Sequence, residues 1–72
     1  MNAYRELAAA IVLQAVKDYR AAVRRQKRDP GNRGARMRIR EVERFFRSPW
    51  YGMLTDIDAN ELIGSLRKEA AE

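Results

Sequence analysis

The sequence contains neither cysteine nor histidine. Without thiols there is no disulfide framework and no thiolate metal site. Without imidazole, the common zinc ligand sets and the usual proton carrier at neutral pH are missing too. Proline occurs twice and glycine four times, so helix-breaking positions are few and their placement is informative. No apolar run approaches the ~20 residues that a membrane-spanning helix needs. The opening residues include Glu6 and continue straight into an amphipathic pattern, which argues against a secretory signal. The expectation is a cytoplasmic protein with no membrane association.

Seventy-two residues make one domain at most. A domain of this size buries only about 60% of the surface its unfolded chain exposes, so it is marginal alone. With no disulfide or metal to staple it, stability must come from helix packing, helped by oligomerisation. A catalytic pocket of several hundred Å3 is hard to enclose with a few short helices. No nucleophile with an activating neighbour is visible either. The chain therefore reads as a non-enzyme that uses no cofactor and no metal.

What is abundant is positive charge, unevenly placed. From Met1 to Ser48 there are thirteen basic and five acidic side chains, a balance of +8; from Pro49 to Glu72 there are two and five, a balance of −3. Clustering of this kind creates a local field that the net charge of +5 understates.

The apolar pattern predicts an all-α protein: a compact three-helix domain over residues 1–72, with helices at about 3–28, 33–47 and 59–71. The first helix starts at about Asn2 or Ala3 and is rich in good helix formers. Its broad apolar face is expected to run from Tyr4 and Leu7 through Ala8, Ile11, Val12, Ala15, Val16 and Tyr19 to Ala22 and Val23. Leu13 falls on the polar side, a candidate contact for a protein partner. "DPGNRG" breaks the helix at Pro30 and Gly31, and Asn32 is placed to cap the next one. In the second helix Ala35, Ile39, Val42 and Phe46 form the core stripe. Ser48 and Pro49 then stop and restart the chain, with a short helical turn expected through Trp50 to Leu54. Asp58 with Glu61 three residues on is a capping box for the last helix, flanked by Ile57 and Leu62. The three helices would measure about 38, 22 and 20 Å. The first is too long for the second to cover, so a third helix or a second subunit must close the core. A homodimer is expected.

Two features suggest a site. Arg33, Arg36, Arg40, Arg44 and Arg47 share an arc about 80° wide on the second helix, and Arg20, Arg24 and Arg28 stand near the end of the first. Guanidinium groups suit phosphate because their planar fork donates in pairs. Nucleic acid is the preferred partner for this stripe. An acidic host protein, or a solvated face partly neutralised by Glu41 and Glu43, are the other readings. The aromatic run Phe45, Phe46, Trp50 and Tyr51 reads first as a packed corner. Its alternatives are a Trp50 and Tyr51 patch that anchors a protein partner, or a stacking platform for single-stranded bases.

Two tempting motifs fail. "DIDANE" starts like a calcium loop, but Glu61 stands where glycine is needed and Arg67 where the bidentate glutamate belongs. A helix-turn-helix reading would place Asp56, Asp58 and Glu61 at the end of the recognition helix that must meet phosphates and base edges.

"EVERFFRSPWYGMLTDIDANELIGSLRKE", with "AIVLQAVKDYRAA" upstream, resembles small proteins carried by prophages and integrative elements of Firmicutes. The shared order is A-V-x-D-Y-R, a proline-bearing break, E-x-E-R-F-F-R-S-x-W, L-T-D-I-D and L-I-x-x-L-R. It covers most of the chain from Ala10 to Glu69. Ala59 departs from the pattern, which has glycine after D-I-D. The resemblance implies a phage or mobile-element accessory protein in a bacterial host, acting by binding nucleic acid or by occupying a host protein such as a defence nuclease.

Overall fold

The computed structural model describes residues 3–71; the alternative helix start at Asn2 lies outside them. Four helices follow one another: α1 Ala3–Arg28, α2 Arg33–Phe46, α3 Pro49–Leu54 and α4 Ala59–Ala71. The all-α expectation holds, and the turn after "SP" is a helix in its own right.

Local chemistry places each boundary. α1 runs uninterrupted until the chain approaches Pro30, where the Asp29 and Asn32 amides donate to the Arg25 and Asp29 carbonyls at 2.9 and 3.0 Å. Asn32 caps α2, its Oδ1 accepting from the Ala35 amide at 3.0 Å. α2 was expected to reach Arg47 but stops at Phe46, with Arg47 as its C-cap. The following Ser48 is extended, at φ −80° and ψ 154°, the conformation favoured ahead of a proline. Its hydroxyl donates to the Phe45 carbonyl at 2.6 Å and accepts from the Tyr51 amide at 3.2 Å, closing one helix and opening the next. Asp58 caps α4 as expected, accepting from the Glu61 amide at 3.0 Å.

α2 returns antiparallel to α1, and α4 runs beside the C-terminal half of α1. Val16 and Tyr19 of α1, Val42 and Phe46 of α2, Tyr51 of α3, and Ile63 and Leu66 of α4 make one apolar core. The rings of Phe45, Phe46 and Tyr51 meet at 5.6 to 5.9 Å, and Tyr19 joins them through Phe46 at 6.0 Å. The packed-corner reading of the aromatic run is therefore correct for three of its four members. The apolar face of α1 is a different matter. Burial starts at Ala8, while Tyr4 and Leu7 are exposed. The covering helices are about half as long as α1 and lie along its C-terminal half.

One polar network ties three helices together. Tyr19 Oη donates to Glu43 Oε2 at 2.6 Å. Arg67 donates from Nε to Tyr19 Oη at 3.2 Å and from Nη2 to Glu43 Oε2 at 2.7 Å. Arg47 reaches the other Glu43 oxygen at 3.5 Å. Burial by itself would raise the Glu43 pKa. The bonds from Tyr19 and Arg67 and the charge of Arg67 outweigh it, so the carboxyl titrates below its usual value. Tyr19 shifts upward, first through burial and then through its bond to Glu43.

Two outcomes are expected from this fold. Gly64 lies within α4, and a β-carbon there would meet nothing within 4 Å. Gly64→Ala should raise stability by about 0.5–1 kcal/mol, read from urea unfolding. Because the Glu43 pKa is depressed on folding, its contribution is full above the ordinary carboxyl pKa near 4.5 and is lost as pH falls through the lower folded value. Glu43→Gln should therefore cost about 1–2 kcal/mol at neutral pH. Its unfolding midpoint should converge with that of the unmodified chain at acid pH.

Candidate nucleic-acid interface

α2 turns Ala35, Val42 and Phe46 inward, so the opposite side faces solvent. Arg33, Arg36, Arg40 and Arg44 are all exposed there. At 1.5 Å per residue they extend over about 17 Å, roughly five nucleotide steps along one strand. Among the described residues no carboxylate lies within ion-pair distance of any of the four. The two acidic residues of α2 point elsewhere: Glu43 into the Tyr19 network, and Glu41 to Arg38 at 3.8 Å. The neutralisation expected from them reaches Arg47, which Glu43 meets at 3.5 Å, but none of these four.

Arg36 and Arg40 stand on a ridge between two shallow depressions. One, of about 320 Å3, is bounded by Arg33, Met37 and the ridge pair. The other, of about 450 Å3, lies between α1, α2 and α4, lined also by Gln26, Arg67 and the Glu43 carboxylate. Arg67 is the basic residue here that sequence reading missed. Its segment reads as part of the acidic half of the chain, and only the packing of α4 across α1 brings it beside α2.

Of the other expected arginines, Arg20 and Arg47 are held by carboxylates. Arg20 is held by Glu69 through two bonds of 2.9 and 3.2 Å. Arg24 lies with Arg20 and Lys27 along the slot between α1 and α4, and Lys27 donates to the Ala70 carbonyl at 2.7 Å. Arg28 is exposed at the end of α1. Arg47, beyond the last turn of α2, is bound to Glu43. Arg33, Arg36, Arg40 and Arg44 are exposed along α2, whereas Arg47, expected with them, is its C-cap. The positions of α1 arginines relative to this stripe depended on where α4 docks.

The expected protein contacts also separate. Tyr51 is 3% exposed and Trp50 54%. Tyr51 is therefore a core residue and not a partner contact, because residues adjacent on a helix point about 100° apart and only one of them can face Phe46. Trp50 stays at the surface, edge-on to Phe45 at 5.6 Å and 79°. Leu13 is exposed, on an apolar groove away from the arginines.

The Tyr51 hydroxyl is buried and has no hydrogen-bond partner among the described residues. Burial, followed by the nearby Asp58 charge, raises its pKa. Leaving a hydroxyl unsatisfied costs about 1–3 kcal/mol, so Tyr51→Phe is expected to be neutral or stabilising in thermal unfolding, in contrast to an ordinary core substitution. Compared with protein-family models, with curated proteins and with solved structures, the chain matches none of them.

Proposed function

We propose that the protein is a non-catalytic accessory protein of a phage or mobile element that binds nucleic acid in the bacterial cytoplasm. Arg33, Arg36, Arg40 and Arg44 of α2 take the phosphates; Arg67 lies beside them but is held by Glu43 and Tyr19. The observation that carries this reading is the uncompensated stripe: four exposed guanidinium groups on one face, while both glutamates of the same helix are turned to other cations. Contacts of this kind position a protein on a backbone without reading sequence. The carboxylates at the start of α4 exclude that helix as the reader. A protein-binding reading draws on a different observation, the half-exposed Trp50 at the aromatic corner.

Binding to labelled single- and double-stranded DNA and RNA, followed by fluorescence anisotropy over a salt series, separates the two. Affinity should fall steeply with salt. Replacing Arg36, Arg40 and Arg44 together by Ala should reduce the slope of log K against log salt by about 2–3, while Trp50→Ala leaves it unchanged. A triple variant that keeps the parent slope, or a chain that binds no oligonucleotide at low salt, overturns the nucleic-acid reading. A stoichiometric host partner that survives nuclease and is lost with Trp50→Ala would establish the other.

A further inference from the structure

Along the C-terminal half of α1, α4 fills the slot beside α2. Along the N-terminal half α4 is absent, and the slot is bordered instead by the end of α3 and the segment that follows it. What remains is an open groove of about 850 Å3, with Tyr4 and Leu13 of α1 on one side, Met53 and Ile57 on the other, and Ala8 and Val12 between them. Of the seven large apolar side chains exposed among the described residues, these four line this one groove, Met53 being 72% exposed. Scattered apolar residues need no explanation, but a contiguous set marks an interaction surface.

We propose that the groove is filled by a second copy of this chain, the N-terminal half of α1 lying across that of its partner about a two-fold axis. Surface area is the first argument. The chain exposes 5575 Å2, whereas a folded monomer of 8.4 kDa exposes about 4600 Å2 by the usual mass scaling. The surplus of roughly 1000 Å2 is close to the ~800 Å2 that each partner hides in a stable interface. Shape agrees: the radius of gyration is 12.9 Å, against about 11 Å for a compact domain of this length. The second argument is self-complementarity. A two-fold contact uses the same patch twice, so the patch must offer both what it needs and what it fits. Here an apolar helix end and an apolar groove belong to one surface. Ala9, exposed on the α1 side of the groove, carries too little side chain to hold a second helix away.

The interface stands independently of the nucleic-acid reading, because the α2 arginines lie outside the groove. If both hold, one dimer presents two arginine faces, and binding gains from bivalency.

Sedimentation velocity of the full chain at tens of micromolar, without nucleic acid, tests the proposal. The expected mass is twice 8.4 kDa. Leu13→Glu and Met53→Glu, both at exposed positions, should each give the single-chain mass with unchanged helical circular dichroism. Met37→Glu, exposed on α2 outside the groove, should remain two-chain. A parent chain that sediments as one copy, a pair that survives both groove variants, or a pair lost with Met37→Glu overturns it.

Discussion

The apolar face of α1 runs along a helix about 39 Å long; of the three helices that pack on it, the two longer ones are about half that length and α3 is a short turn. Covering happens at one end. α2 and α4 both pack against the C-terminal half, where Val16 and Tyr19 meet Val42, Phe46, Ile63 and Leu66. The N-terminal half keeps Ala8 under cover but leaves Tyr4 and Leu7 in solvent. The concentration of the core, the elongated outline and the open groove all follow from this mismatch in length.

The same mismatch explains why a polar network is needed. Two short helices lying on one long one have apolar contacts that do not fix how far each slides along it. Tyr19, Glu43 and Arg67 each come from a different helix and meet at 2.6 to 3.2 Å, so α4 is pinned to a particular register on α1 and α2. Arg20 with Glu69 and Lys27 with Ala70 repeat the pinning further along. Exposed ion pairs contribute little on their own. The partly buried trio, with Glu43 bonded on both oxygens, holds the position.

That docking also sorts the charges. Glu43 is spent on Tyr19 and Arg67, and Glu41 leans toward Arg38. Arg33, Arg36, Arg40 and Arg44 are left facing solvent with no carboxylate within ion-pair distance among the described residues, although Glu43 lines the same depression as Arg36 and Arg40. The proposed binding face is therefore a consequence of how the core is pinned. It lies on α2, away from the uncovered groove on α1, so a backbone contact and a chain-to-chain contact do not compete for the same surface.

What the sequence by itself determined was local. Asn32, Ser48 with Pro49, and Asp58 announce helix starts because a cap is satisfied within three residues of itself, and each side chain caps as expected, although only the Asp58 half of the capping box with Glu61 forms among the described residues. The α2 core stripe and its arginine arc were legible for the same reason: both need only the helical repeat. The tertiary structure decided the rest. Tyr51 and Trp50 are adjacent and chemically similar, and only the location of Phe46 made one core and the other surface. The apolar periodicity of α1 marked its whole length as a face to bury, yet the cover over Tyr4 and Leu7 is missing because the helices that cover a face are set by the lengths of other segments. Glu43 read as a counter-charge for the arginine stripe, but among the described residues it meets only Arg47 of that stripe, and its shorter bond is to Arg67. That last pairing spans 24 residues, a separation at which no local spacing rule operates.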